Sequence, residues 1–236
     1  VYELYDFCWS HAQKQGKDII FEIGTEEQTG GNNTQDDLEY TLASMKKFCE
    51  KNKFPFPSFV VIQAGTRVME TKNIGSFDAP IRVKNELPPE IQIPKMISIC
   101  NKYKIYMKEH NTDYLSYESL KWQPRLGIHA ANVAPEFGVS ETKAFFEILK
   151  VNQQDELLKK FLDISYESMK WKKWILKDSK ANNEDKSIIA GHYIFSSKEF
   201  IDLKIEARDK IDGLDGFLKD RVKKSIFRYL KAFNLT

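Results

Sequence analysis

Short apolar runs alternate with amphipathic segments over the first 150 residues of the chain. Four of these runs end in glycine or polar residues, which is typical of buried strands. They span residues 18–23, 58–63, 104–108 and 126–130. Between the runs, apolar residues recur at helical spacing, most clearly in Leu38, Leu42, Met45 and Cys49. The alternation of helices and strands predicts an α/β protein with a parallel sheet and right-handed crossover helices.

From Ser140 onward every strong pattern has helical spacing, with helices predicted over 140–150, 154–176 and the C-terminal end. We expect residues 1–150 to form the C-terminal half of a β/α (TIM-type) barrel and 151–236 to form a helical extension packed on it. Such a barrel needs eight strands and about 250 residues, so four βα units cannot close it alone. The alternative fold is an open, doubly wound sheet of four strands with a helical appendage.

The stretch after Thr66 and the start of the chain each lead to a further prediction. After Thr66 comes a proline-rich stretch of roughly 25 residues with little periodicity, and loops of that length are often functional lids. The chain begins at Val1 inside a helical pattern, with no signal-peptide pattern, so we expect another segment to precede it.

Composition narrows the class of partner. The chain has 36 Lys and Arg against 34 Asp and Glu, which gives a net charge of +2, and it contains no long run of charges of one sign. Neither nucleic acid nor a membrane is therefore predicted as a partner. No apolar run is long enough to span a bilayer. The three cysteines are an odd number without paired spacing, which predicts buried free thiols in a reducing, cytoplasmic compartment.

Polar residues cluster at the predicted carboxyl ends of the strands, which is the edge where ligands bind in both architectures. The set comprises Glu26, Gln63, Thr66, Glu109, His110, Asp113, His129 and Asn132. A carboxylate with one or two imidazoles at such an edge is typical of a divalent-metal site or of acid–base chemistry. Two structural alternatives stay open: His129 packs within the strand layer, and Asp113 caps the next helix.

No other motif points to a different chemistry. The chain contains no glycine-rich phosphate loop, no Walker motif and no zinc-protease motif. Residues 170–174 (KWKKW) interleave lysines with tryptophans; a helix with packed tryptophans and exposed lysines accounts for them more simply than nucleic-acid binding does.

Several strand-end segments are similar to those of one known family. The most distinctive are residues 21–26 (FEIGTE), 60–65 (VVIQAG), 109–114 (EHNTDY) and 143–146 (KAFF). They resemble the class II D-tagatose-bisphosphate aldolase subunits of the GatZ/KbaZ type. The resemblance runs through nearly the whole chain but covers only the C-terminal half of such a protein.

The resemblance implies a β/α barrel acting on phosphorylated ketohexoses. Some members of the family resemble non-catalytic partners of a zinc aldolase subunit, whereas others look like ketose-phosphate 4-epimerases. Glu26, His110 and Asp113 carry over position by position, but His129 does not, because the family has an apolar residue there. The family's Asp-His pair belongs to the half that this chain lacks.

Three functional hypotheses follow. The first is a sugar-phosphate enzyme that uses a divalent metal, zinc or manganese, for C3–C4 retro-aldol cleavage or C4 epimerisation. In it Glu26, His110 and Asp113 are catalytic, Glu26 and His110 hold the metal, and Asp113 orients His110. Its substrate-binding residues are Gln63, Thr66, His129 and Asn132. The others are a non-catalytic stabilising subunit of an aldolase and a regulatory sugar-phosphate binder.

The expected partners are a phosphorylated ketose and a second polypeptide. An open sheet leaves two unpaired edge strands, so we expect an aldolase partner subunit, the missing N-terminal half or a second copy to cover them in an oligomer.

Overall fold

The computed structural model describes residues 1–24, 33–79 and 87–236 of the chain. Its strands are β1 (Glu22–Gly24), β2 (Phe59–Ile62), β3 (Val68–Met69), β4 (Lys72–Asn73), β5 (Tyr106–Glu109) and β6 (Ala130–Ala131). Its helices are α1 (Tyr2–Lys14), α2 (Gln35–Asn52), α3 (Pro89–Tyr103), α4 (Tyr117–Arg125), α5 (Pro135–Val151), α6 (Asp155–Glu167), α7 (Asn183–Ala190), α8 (Lys198–Lys210) and α9 (Leu214–Ala232). Two short 3₁₀ helices, Lys170–Trp174 and Gly191–Ile194, flank α7.

The predicted parallel sheet is confirmed. Its order is β1-β2-β5-β6, and each neighbouring pair is parallel. This order follows the chain without a reversal, as successive right-handed βα units produce. The half-barrel itself stays a prediction. β1 and β6 are shorter than the apolar runs that predicted them, since the ladder forms only where a neighbouring strand lies in register.

The chain divides into two compact units. One, here called the sheet unit, comprises Val1–Arg67, Gly75–Asn111 and Trp122–Asn132. The other, the helical unit, comprises Val68–Ile74, Thr112–Lys121 and Val133–Thr236. The proposed division into 1–150 and 151–236 stays a prediction.

The core of the sheet unit lies between one face of the sheet and its helices. Ile23, Val60, Ile62 and Met107 alternate along the strands toward this core, as strand periodicity requires. The predicted stripe of α2 packs there, together with the buried residues of α3. The opposite face is mixed: Phe59, Val61 and Tyr106 lie on it, and Lys108 Nζ pairs there with Glu22 Oε2 at 2.7 Å. Helices pack on the first face, whereas Tyr106 on the second is 54% exposed.

The helical unit has a core of aromatic and aliphatic side chains from α5, α6, α8 and α9. The ring centroids of Phe145 and Phe161 lie 5.0 Å apart, and those of Phe145 and Phe200 lie 5.4 Å apart. These three rings interlock because edge-to-face packing is favourable for aromatic pairs.

The continuous helix predicted over 154–176 is wrong. α6 ends at Glu167, and Met169 has a left-handed φ of 57°, so the chain turns before the 3₁₀ helix Lys170–Trp174. Trp174 is buried against Val68 and Ile189. Helical spacing continued across this break because a 3₁₀ turn places its side chains with nearly the same period.

Other expectations are corrected in detail. The proline-rich stretch holds a small antiparallel hairpin, β3–β4, near its start, and residues 80–86 of the expected lid lie outside the described part of the chain. All three cysteines are free, but only Cys49 and Cys100 are buried, whereas Cys8 is exposed on α1. In the described ranges, none of the helices is long and apolar enough to cross a membrane.

Candidate functional site at the carboxyl edge of the sheet

The carboxyl ends of β2 and β5 bring three polar side chains together. The Asn111 amide donates to Gln63 Oε1 at 2.8 Å, and His110 Nδ1 lies 3.3 Å from the same oxygen. The adjacency of β2 and β5 causes this convergence, because Ile62 pairs with Glu109 and the residues that follow both strands emerge side by side. Gln63 and Asn111 are buried and His110 is half-buried, so the group lies at the rim of the core.

Asn33 extends this arrangement toward α2. Its Oδ1 accepts the backbone N–H of Gln63 at 2.8 Å, and its own N–H donates to the Gln63 carbonyl at 2.9 Å. Gln92 donates to the Asn33 carbonyl at 2.7 Å. The backbone of Gln63 is therefore fixed from both sides, which positions its side chain toward His110.

Glu109 is a fully buried carboxyl directly beneath this group. Its Oε1 accepts the backbone N–H of Ala64 at 2.7 Å and lies 2.8 Å from the Thr66 hydroxyl. Its Oε2 is buried without a hydrogen-bond partner among the described residues. Burial raises the pKa of Glu109 to about 8, although the bonds from Ala64 and Thr66 oppose the shift. The side chain is therefore mostly neutral at pH 7.

The Thr66 hydroxyl links Glu109 with the end of β5. It lies within hydrogen-bond distance of Glu109 Oε1 and of the carbonyl oxygen of His110. A hydroxyl has one proton, so it donates to one of these two acceptors at a time.

This buried carboxyl predicts a pH-dependent stability. Because its folded pKa lies above the unfolded value, the folded state binds more protons between about pH 4.5 and 8, and stability falls as the pH rises through that window. Glu109→Gln is expected to remove a slope of up to about 1.4 kcal/mol per pH unit. Urea unfolding from pH 5 to 8 measures it. Glu90→Gln, an exposed position on α3, is the control, and an equal slope in wild type and Glu109→Gln would contradict the assignment.

Asp113 lies in the helical unit and caps a helix. Its Oδ1 accepts the backbone N–H groups of Ala134 and Glu136, at 3.0 and 2.8 Å, at the start of α5. Ala134, the N-cap of α5, supplies no side-chain bond of its own, so Asp113 takes that role from a distance. Burial raises the pKa of Asp113 to about 6 in spite of these two bonds. The contacts of Asp113 are thus those of a helix cap, as the structural alternative expected, but the helix that it caps is α5 and not the next helix, α4.

The remaining sequence-predicted residues are placed as follows. His129 is exposed rather than packed within the strand layer; its ring lies beside Tyr106, and its Nδ1 accepts the Met107 N–H at 3.3 Å. Asn132 is half-buried, and its N–H continues the ladder to the Glu109 carbonyl at 2.9 Å. Glu26 lies outside the described residues.

A metal ion fits the described residues only in part. The edge supplies one imidazole, and in the part of the chain that the structure covers, no three or more His, Cys, Asp or Glu side chains group around one point. Gln63 already bonds with Asn111, and Glu109 is neutral and buried. These residues do not by themselves form a metal site.

The sequence analysis placed Glu109 in the strand-end set without a specific role, and it did not single out Asn33 or Asn111 as site residues. Asn111 carries one usable signal, since asparagine is among the few residues that tolerate the left-handed conformation, and its φ is 52°. No sequence signal predicts the burial of Glu109, because a glutamate at the end of a short strand is ordinarily solvated. Only the packing of β2 against β5 buries this one.

Among the comparisons with known proteins, only the solved structures match this chain. No family model matches the chain, and no curated protein sequence does. A probable tagatose 6 phosphate kinase from Sinorhizobium meliloti 1021 superposes with a TM-score of 0.65 and 13% identity, over 94% of this chain and 65% of its own. The native fructuronate-tagaturonate epimerase UxaE from Cohnella laeviribosi has a TM-score of 0.63 and 10% identity, over 98% of this chain and 50% of its own.

A glycerol complex of the same epimerase gives a TM-score of 0.64 and 9% identity, over 99% of this chain and 49% of its own. At these identities the likeness is one of fold alone. The chain spans from about half to just under two thirds of the length of these proteins.

Proposed function

We propose that the chain is the C-terminal half of a β/α-barrel enzyme acting on a sugar phosphate, of the tagatose-bisphosphate aldolase or ketose-phosphate 4-epimerase type. The observation that carries the proposal is the meeting of Gln63, His110 and Asn111 at the carboxyl edge of a sequentially ordered parallel sheet. The fold shared with proteins described as a tagatose 6 phosphate kinase and a fructuronate-tagaturonate epimerase supports a sugar as ligand.

The side chains suit a polyhydroxylated carbonyl compound. Amides donate and accept, so Gln63 and Asn111 can bind hydroxyl and carbonyl groups at once. When His110 Nδ1 donates to Gln63 Oε1, its Nε2 is the basic nitrogen of the ring. In the proposal, Nε2 moves the proton of the C4 hydroxyl, which both retro-aldol cleavage and C4 epimerisation require. Thr66 and Glu109 hold the backbone that carries His110.

The other assignments remain part of the proposal. Glu26 acts with His110, Asp113 belongs to the catalytic group, and His129 and Asn132 join Gln63 and Thr66 in binding substrate. A zinc or manganese ion held by Glu26 and His110 would supply Lewis-acid stabilisation of an enediolate when bound. Metal titration of the wild type and of His110→Gln by calorimetry tests this point apart from turnover.

A second polypeptide is also proposed, either the N-terminal half or an aldolase partner subunit. Among the described strands, β1 pairs only with β2 and β6 only with β5, so each has one unpaired edge. On α1, Leu4 and Phe7 lie one turn apart and are each 69% exposed. Unpaired strand edges and exposed apolar side chains on one helix face are both typical of surfaces that another chain covers.

The decisive substitution is His110→Gln. We expect turnover to fall at least about 100-fold, because a positioned acid–base group contributes roughly that much or more, while the melting temperature stays nearly unchanged. The assays are cleavage of tagatose bisphosphate and 4-epimerisation of fructose 6-phosphate, with zinc or manganese added. Glu26→Gln is expected to behave alike, and His11→Gln, exposed on α1, is the control. Full activity in His110→Gln would exclude the assigned role.

The alternative is a non-catalytic stabilising subunit of a class II tagatose-bisphosphate aldolase, which the resemblance to such subunits favours. The protein is assayed alone and together with any chain that co-purifies with it. Activity that resides in the partner and survives His110→Gln would support the stabilising subunit and overturn the enzyme.

A further inference from the structure

The exposed face of α9, in the helical unit, carries apolar side chains. Ile226, Phe227 and Leu230 line a groove of about 460 Å³ on the surface of this helix, together with Lys223 and Lys224. Phe227 is 54% exposed. Ile226 and Leu230 lie one turn apart, so they share one side of the helix. Contiguous exposed apolar side chains are typical of a surface that binds another molecule.

The second half of α9 is strongly basic. Residues 219–236 include six Lys and Arg but a single acidic residue, Asp220. Arg221 and Arg228 are paired with carboxylates of α5. The other four cations are exposed and form no ion pair with any residue that the structure describes: Lys219, Lys223, Lys224 and Lys231. The apolar groove of α9 thus lies among positive charges that have no counter-charge.

The preceding helix, α8, also exposes apolar side chains, but its unpaired charges are acidic. Ile201 and Ile205 lie one turn apart on it and are 46% and 49% exposed. All four basic residues of this helix already form ion pairs with carboxylates of the same chain. Three exposed acidic residues of α8 and of the turn after it are in no ion pair within the described ranges: Glu199, Asp209 and Asp212. The two isoleucines therefore lie on a helix with an excess of negative charge.

The two helices are neighbours in the helical unit. Leu203 of α8 and Leu218 of α9 belong to the same hydrophobic core, and Arg208 Nε lies 2.7 Å from Asp215 Oδ2 at the start of α9. Each copy of the chain thus carries an acidic apolar helix beside a basic apolar helix. Two copies related by a twofold axis can pair α8 of each copy with α9 of the other, which makes an isologous interface.

We propose that α8 and α9 form a dimer interface, in which α9 of each copy binds α8 of a second copy. Complementary charge selects this occupant, because a second copy brings unpaired carboxylates to the lysines of α9 and isoleucines to its groove. An anionic membrane would satisfy the lysines of α9 but would leave the acidic residues of α8 without a partner.

The size of the surface sets the strength of the dimer. Two helices of these lengths present roughly 500 Å² per copy, which is near the lower limit of specific interfaces. The dimer is therefore weak and depends on concentration. This interface goes beyond the proposed function, since neither helix carries a residue assigned to turnover or to substrate binding.

Sedimentation equilibrium of the full chain tests the proposal. The wild type is expected to dimerise with a Kd of about 10 to 100 μM at low salt, and more weakly at high salt because exposed charges are screened. The α9 variant, Lys223→Glu with Lys224→Glu, is expected to raise the Kd at least about tenfold. The α8 variant, Asp209→Lys with Asp212→Lys, is expected to raise it to a similar extent. Phe227→Ser is expected to weaken the dimer as well, since it removes an apolar side chain of the groove.

A mixture of the α8 variant and the α9 variant is the sharpest measurement. Each variant alone is expected to be monomeric, whereas the mixture is expected to form a heterodimer. In that heterodimer the acidic α9 of one variant meets the basic α8 of the other, and the two unchanged helices also have opposite charges. Recovery of the dimer in the mixture also shows that both variants fold.

Matched controls come from α2, which lies in the sheet unit. Lys47→Glu with Lys51→Glu reverses two exposed lysines, and Tyr40→Ser removes an exposed aromatic side chain. Both control proteins are expected to dimerise as the wild type does.

Three results would overturn the proposal: a wild type that is monomeric at about 500 μM, a dimer that both charge reversals leave intact, or a mixture that stays monomeric. Binding of a monomeric wild type to phosphatidylserine vesicles, lost in the α9 variant and kept in the α8 variant, would overturn it in favour of a membrane. None of these measurements requires turnover, so failure of the dimer is distinct from failure of the proposed enzyme.

Discussion

Glu136→Ala is expected to destabilise the helical unit by about 2 to 3 kcal/mol, because it removes a largely buried carboxylate that pairs with the half-buried Arg228 and accepts two further hydrogen bonds. Glu136 Oε1 lies 3.0 Å from Arg228 Nη2, and the two side chains are 15% and 31% exposed. Its Oε2 accepts the backbone N–H of Tyr114 at 2.5 Å and also the Tyr229 hydroxyl. One carboxylate thus joins α5, α9 and residues 112–116, and its removal leaves several donors short of an acceptor.

The same pair of helices contains a matched control. Glu147 Oε1 pairs with Arg221 Nη2 at 2.6 Å, again between α5 and α9, but these side chains are 47% and 39% exposed. Glu147→Ala is expected to cost less than about 1 kcal/mol, since water replaces the lost partner. Urea unfolding of both variants measures the difference. Equal losses of stability in Glu136→Ala and Glu147→Ala would contradict the prediction, because they would mean that Arg228 finds another acceptor and that the burial of its ion pair adds nothing to stability.

Gly75→Ala is expected to be at least as damaging, with a cost of about 3 kcal/mol. A Cβ at Gly75 would lie 2.3 Å from the Gly65 carbonyl oxygen and 2.7 Å from the Thr66 Cα. Both atoms belong to the backbone, so neither can rotate away. Residues 64–66 must then shift, and the Ala64 and Thr66 contacts with Glu109 are lost together.

Thermal unfolding measures the loss of stability in Gly75→Ala, and the dependence of its stability on pH measures the loss of the contacts with Glu109. The control is Gly216→Ala in α9, where a Cβ would meet nothing within 4 Å. That variant is expected to keep or slightly raise stability, because alanine favours a helix over glycine by roughly 0.5 to 1 kcal/mol. A Gly75→Ala protein as stable as the wild type would mean that the loop at Gly65 has room that the structure does not show.

The strand-end cluster illustrates how far sequence reasoning reached into the candidate site. Placing Gln63 and His110 at the carboxyl ends of two strands needed only the apolar runs before them, and the structure puts their side chains in contact. Placing Asp113 beside His110 rested on sequence proximity, but Asp113 belongs to the helical unit and bonds with the start of α5. A separation of three residues does not predict that two side chains are neighbours when the chain passes from one unit into the other between them.

Sequence periodicity by itself determined the α/β class and the parallel sheet, because buried strands and amphipathic helices have different and local repeat lengths. Residue types likewise placed polar groups at the strand ends. Only the tertiary structure decided that Glu109 is buried and neutral, and that Asp113 and Glu136 fasten α5 and α9. These properties depend on which distant segments exclude water from a group, and no local pattern records that.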